Sequence, residues 1–156
     1  MWTLSKPWFY TASMVDMIKS WPLGKAEIIA MLEHHEIIPT QQRVEIAQVL
    51  FARPQHLAAE QVLTQVNQEQ NVASKATVYN TLGLFASKGL IREVIVDPTR
   101  IFYDPNTNQH HHFYNVDTGS LMDIEGDQVT IANFPSPPPG TVTEAMDVIV
   151  RIRNRA

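Results

Sequence analysis

Three consecutive histidines, His110, His111 and His112, stand between two carboxylates, Asp104 and Asp123, in the stretch DPNTNQHHHFYNVDTGSLMD. Alternate residues of a strand share a face, so His110 and His112 can aim at one point while His111 faces away. Imidazole and carboxylate together suit a borderline divalent ion such as iron, manganese or zinc. Asp104 ends one apolar run and Asp123 ends another, so a fold that brings both to the His-x-His pair makes a nitrogen and oxygen pocket. The plain alternative is a polar loop of solvated imidazoles.

The composition narrows the choices. No cysteine is present among the 156 residues, which excludes disulfides, thiolate zinc, iron–sulfur clusters and cysteine nucleophiles. Any metal must be held by His, Asp, Glu, amide or backbone groups. With 44% apolar and 18% charged residues the chain should fold. No apolar run approaches the ~20 residues that span a bilayer, and the start lacks the apolar core of a secretory leader. The expected address is cytoplasmic, with no membrane partner. A net charge of −4 does not advertise nucleic acid, but its distribution is uneven. Residues 74–100 carry four basic side chains against two acidic, and residues 101–156 carry three against seven. A weakly basic end beside an acidic one suits a DNA-facing half and a metal-collecting half.

The elements that must position these residues follow from period and punctuation. Residues 1–24 form an aromatic N-terminal arm with Trp2, Trp8, Phe9, Tyr10 and Trp21. Helical spacing predicts helices over Lys25–Ile37, Gln41–Ala52, Ala58–Gln70 and Lys75–Lys88, with Pro39 and Pro54 as breaks. Thr40 and Ser74 are N-caps, and Gly89 ends the last helix. Leu90–Val96 and Arg100–Tyr103 form a hairpin about Asp97–Pro98–Thr99. Helices followed by a hairpin is the winged-helix order. A second hairpin pairs His112–Val116 with Leu121–Ile124, and Gln128–Ala132 is a short β-like run. PSPPPG is a rigid connector, and Ala145–Arg153 is a half-buried strand of an antiparallel sheet. The expected class is α+β. A winged-helix domain over 25–104 precedes a small α/β dimerisation and sensing domain over 105–156, and the sheet completes itself in a homodimer.

The phrases PTQQR (Pro39–Arg43), His56-Leu-Ala-Ala-Glu60 and Ser-Lys-Ala-Thr-Val-Tyr-Asn (Ser74–Asn80), followed by HHHFYNVDTG, resemble the ferric uptake regulator family of bacterial repressors over roughly residues 27–153. The resemblance implies a metal-responsive regulator, not an enzyme, that binds pseudo-palindromic double-stranded operators as a dimer. Its regulatory site, carried over by position, falls on His56, Asp104, His110, His112 and Asp123, with one ligand from the DNA-binding domain and four from the dimerisation domain. Iron or manganese is the implied ion, and zinc is possible in vitro. The family's Cys-ligated structural zinc is absent, because its first pair of places reads Asn115 and Thr118. At the second His/Glu site His111 could contribute, while Thr130 occupies the glutamate place.

The His triplet without cysteine pairs is similar to the iron response regulator branch, which implies haem at His110, His111 or His112 as the competing ligand and a haem-delivering partner. The peroxide-sensing branch uses the same three histidines and two aspartates. By the same resemblance the helix at Lys75–Lys88 enters the major groove. Ser74, Lys75, Thr77, Tyr79 and Asn80 meet phosphates or bases, and Arg43 meets a phosphate. Tyr79 as a core aromatic is the alternative use of that side chain.

Overall fold

A computed structural model of the chain describes residues 21–156; residues 1–20, with most of the expected aromatic arm, lie outside them. The described residues divide into two compact units, one up to residue 107 and the other over residues 108–156.

The first unit contains four helices among the described residues: α1 (Lys25–His34), α2 (Gln41–Leu50), α3 (Ala59–Val66) and α4 (Lys75–Ser87). Each buries one stripe and exposes the rest. Ile28 and Leu32 of α1, Ile46 and Leu50 of α2, Val62 of α3, and Val78, Leu82 and Phe85 of α4 are all fully buried in one core. The caps explain where helices begin. Thr40 Oγ1 accepts the Arg43 amide at 3.4 Å, and Ser74 Oγ accepts the Thr77 amide at 3.2 Å, each satisfying a donor the helix leaves open. Gly89 follows α4 with φ of +72°, the left-handed conformation that glycine adopts without penalty. α3 is shorter than its apolar period suggested. Its C-cap is Asn67, whose side chain accepts the Val72 and Ala73 amides at 2.8 and 3.0 Å and donates to the Ala73 carbonyl at 2.8 Å. That loop delivers the chain to Ser74.

Three strands complete this unit in the order β1-β3-β2: β1 (Leu57–Ala58), β2 (Arg92–Asp97) and β3 (Arg100–Asp104). The β2–β3 hairpin is the wing, with Asp97 Oδ1 accepting both the amide and the hydroxyl of Thr99 at its tip. β1 was not foreseen. Two residues carry no period, and only pairing with β3, Leu57 to Tyr103 and Ala58 to Phe102, makes them a strand.

The second unit is a three-stranded sheet in the order β5-β4-β6, from β4 (His110–Asn115), β5 (Ser120–Glu125) and β6 (Ile149–Ile152). β4 and β5 pair antiparallel, but β6 lies parallel to β4, with Phe113 opposite Val150. The expectation of an antiparallel last strand is corrected here. A parallel pair needs a long crossover, and residues 129–148, with their prolines, supply one that is extended instead of helical. For the same reason the unit is not α/β: its only helical turn is the 3-10 turn Gly126–Gln128, and residues 128–132 form no strand. β6 is also four residues long where nine were expected, because pairing with β4 begins only at Ile149.

The faces of the second sheet differ in chemistry. His110, His112, Tyr114, Leu121, Asp123 and Glu125 share one face by register; His111, Phe113, Met122, Ile124 and Val150 share the other. Met122 and Val150 are exposed on that apolar face, as are Ile131, Phe134 and Val142 on the crossover.

Candidate metal centre and nucleic-acid interface

In the first unit the β1–β3 register runs from Ala58–Phe102 to Leu57–Tyr103, so the next step sets His56 against Asp104. Their side chains meet, with His56 Nε2 3.2 Å from Asp104 Oδ2. The other carboxylate oxygen accepts the Asn106 amide at 2.8 Å. Asp104 is 2% exposed, and a carboxylate this deeply buried requires partners on both oxygens. Asp104 therefore belongs with His56 in the first unit.

In the second unit all three histidines of β4 are buried. Register sets His112 opposite Asp123. His110 and His112 lie with ring centroids 4.5 Å apart, and their Nε2 atoms stand 3.5 and 3.6 Å from the same oxygen, Asp123 Oδ1. Two ligand atoms each ~2.1 Å from a tetrahedral ion are roughly 3.4 Å apart, so these separations fit atoms sharing one ion. His110 Nδ1 is 2.7 Å from the Asn108 carbonyl oxygen. A carbonyl only accepts, so Nδ1 carries the proton and Nε2 presents its lone pair toward Asp123. That outer contact is what a ligating imidazole needs, and Asn108 had not been singled out; only the fold of the preceding loop reveals it.

His111 is arranged the opposite way. Its Nδ1 accepts the Val148 amide at 3.2 Å, so in the neutral ring the proton sits on Nε2. This histidine holds the approach to β6 on the far face of the sheet.

The exposed end of α4 carries the remaining candidates. Ser74, Lys75, Tyr79 and Asn80 are exposed, and Thr77 is half-buried. Ser74 and Thr77 are engaged with each other at 2.9 Å between hydroxyls. Tyr79 is 38% exposed and lies off the buried stripe, so it is not a core aromatic. Its hydroxyl donates to Glu60 on α3, which lowers the Glu60 carboxyl below its ordinary range and raises the Tyr79 phenol above its own. Lys75 Nζ stands 5.6 Å from the Tyr79 ring centroid. Arg43, half-buried, donates to the Ile38 carbonyl at 3.0 Å. Glu60 had not been singled out either, since a contact across 19 residues has no local sequence mark.

The profile of the ferric uptake regulator family matches residues 34–133. The chain belongs to that family. As a ferric uptake regulator family protein it is a metal-responsive, DNA-binding regulator of transcription and not an enzyme. The peroxide-responsive repressor PerR of Staphylococcus aureus (strain Mu50) is 28% identical over 103 residues, which span 66% of this chain and 70% of the repressor. Among solved structures, the Pseudomonas aeruginosa ferric uptake regulator with manganese is similar with a TM-score of 0.61 and 21% identity, covering 81% of this chain and 97% of that one. The Vibrio cholerae ferric uptake regulator gives 0.63 at 17% identity over 81% and 98%. At these identities the structural likeness concerns the fold. No helix among the described residues is long and apolar enough to cross a membrane.

Proposed function

We propose that this protein controls iron-related genes by binding one divalent ion, iron or manganese, through His56, Asp104, His110, His112 and Asp123. The observation that carries the proposal is the convergence of His110 and His112 Nε2 on Asp123 Oδ1, with the His110 tautomer fixed by Asn108. Three imidazoles and two carboxylates suit a first-row divalent ion. Ligands drawn from both units would make ion binding and the setting of α4 one equilibrium, with couplings of this kind typically ~1–3 kcal/mol.

The DNA-facing set is α4 with Ser74, Lys75, Thr77, Tyr79 and Asn80, and Arg43 at the start of α2 on a phosphate. Family members act as dimers. The apolar face of the second sheet, with Met122 and Val150 exposed, is the surface a second copy would cover. A dimer presents two α4 helices to a pseudo-palindrome, in the cytoplasm. Within the family, the His triplet and the absence of cysteine support a reading in the iron response regulator branch.

The deciding experiment compares wild type with His110→Ala/His112→Ala in metal analysis, haemin titration and binding to the chain's own promoter DNA. Metal-dependent DNA binding should vanish in the double variant. An unchanged metal dependence removes the triplet from sensing, and stoichiometric haemin binding abolished by the same substitutions transfers the role to haem. A second use of the same residues is favoured by the peroxide-responsive relative. Bound iron would supply oxidising chemistry when peroxide arrives, and His110 or His112 would take up an oxygen atom, visible by peptide mass spectrometry. Unmodified histidines after peroxide treatment of the iron-loaded protein would exclude it.

A further inference from the structure

Glu60 is an acidic side chain on a surface that should meet a polyanion. It lies on the first turn of α3, exposed, with its carboxylate on the hydroxyl of Tyr79 from α4. Lys75, one turn before Tyr79, lies over the ring, with Nζ 5.6 Å from its centroid. Cation, ring and carboxylate thus form one cluster at the exposed start of α4. An exposed carboxylate contributes little to folding, while beside DNA it repels phosphate. Its position therefore calls for a functional account.

A tyrosine with a free hydroxyl donates to any phosphate oxygen, a contact blind to sequence. Once the hydroxyl is committed to Glu60, what Tyr79 offers DNA is its apolar ring, which can distinguish a thymine methyl from other base edges. Lys75 beside the ring keeps the local field attractive to the backbone, so the cluster admits DNA while denying the phenol to phosphate.

We infer that Glu60 is a specificity-determining positioning residue: it withholds the Tyr79 hydroxyl from phosphates, so that the ring is spent on bases, and its charge disfavours backbone contacts at that point. The inference rests on α4 being the DNA-reading helix. It assigns Glu60 no contact with a base; it acts through Tyr79.

The test uses the full-length, manganese-loaded protein and three short duplexes: one selected by wild type from a random pool, its scrambled counterpart, and the selected duplex with uracil in place of thymine. Uracil removes only the methyl group. Wild type should prefer the selected duplex and weaken on uracil substitution. Glu60→Ala should bind the scrambled duplex about threefold to tenfold more tightly at low salt, with a smaller preference ratio and a smaller uracil penalty. Glu60→Gln, which keeps an acceptor for the hydroxyl but drops the charge, should tighten binding to both duplexes and retain the uracil penalty. A merely structural role would alter affinity without separating Gln from Ala in this way, and thermal melts establish that each variant folds. An unchanged preference ratio and uracil penalty in Glu60→Ala overturns the role of Glu60. If Lys75→Ala and Asn80→Ala also leave the selected duplex bound as by wild type, α4 is not the reading helix and the DNA-facing assignment falls with it.

Discussion

His110 and His111 are neighbours in sequence whose rings carry their protons on opposite nitrogens. His110 donates from Nδ1 to the Asn108 carbonyl, whereas His111 accepts at Nδ1 from the Val148 amide. The alternation of a strand places the two rings on opposite faces, and each face supplies a different backbone group. One ring thereby turns Nε2 toward Asp123, and the other holds the sheet. Nitrogen-15 NMR of the metal-free protein should find the Nδ1–H tautomer at His110 and the Nε2–H tautomer at His111, with zinc perturbing His110 and His112 and sparing His111. The same tautomer at both residues would remove the division of labour.

Asp123 Oδ1 is the point on which two imidazoles converge, and its side chain remains 37% exposed. Exchange to asparagine preserves size and removes the charge. Manganese affinity, measured by calorimetry, should fall on the order of tenfold or more, since the charge count of the ligands sets affinity for hard divalent ions. Far-UV circular dichroism should remain unchanged. Wild-type affinity in Asp123→Asn would exclude this carboxylate as a ligand.

Asp104 is tied into the fold of the first unit as well as being a proposed ligand. One oxygen takes the Asn106 amide and the other faces His56, at 2% exposure. Replacement by alanine leaves the half-buried Asn106 amide without its acceptor and takes the carboxylate from beside the His56 imidazole, a cost of about 1–3 kcal/mol. Urea denaturation of the metal-free protein should show that loss. A metal-free stability equal to wild type would mean that Asp104 serves only a ligand.

The sequence made the helices and both hairpins legible, because they rest on local rules: stripes at helical spacing, the caps Thr40 and Ser74, the glycine after α4. The candidate donors were legible as well, since a composition without cysteine removes thiolate and leaves imidazole and carboxylate as the side chains to watch. What escaped depends on partners distant in the chain. β1 exists through Tyr103 and Phe102; β6 runs parallel because a proline-rich crossover returns it to the same end of β4; Glu60 meets Tyr79 across one turn of the helix-turn-helix. The proton of His110 is set by a backbone carbonyl, and carbonyls are identical at every position of a sequence.

Asn67 decides how α4 is presented. Its amide group makes three hydrogen bonds to Val72 and Ala73, closing the loop that ends at Ser74. Asn67→Ala should cost about 1–3 kcal/mol in urea denaturation and weaken DNA binding even at saturating manganese, because the helix start loses its fixed approach. DNA binding equal to wild type would show that the core stripe of α4 alone sets its position.

The contact between Glu60 and Tyr79 has a defined pH window. The Tyr79 hydroxyl and a backbone donor lower the Glu60 carboxyl below its ordinary 4.5, so its contribution is present above the unfolded carboxylate value and is lost as pH falls through the lowered folded value. The Glu60 acceptor raises the Tyr79 phenol above its ordinary 10.0, so the neutral donor's contribution is present below the unfolded value and is lost as pH rises through the raised one. Between those limits the cluster should be insensitive to pH. Ultraviolet titration of tyrosinate should show a transition in wild type that moves to lower pH in Glu60→Ala, while Glu60→Gln, still an acceptor but uncharged, falls between them. Burial raises the Tyr103 phenol as well, with smaller contributions from Glu93 and Glu60, so Tyr79→Phe identifies which transition belongs to the contact. If the Glu60→Ala curve superimposes on wild type, the hydroxyl and the carboxylate do not meet in solution, and Tyr79 is free to donate to phosphate.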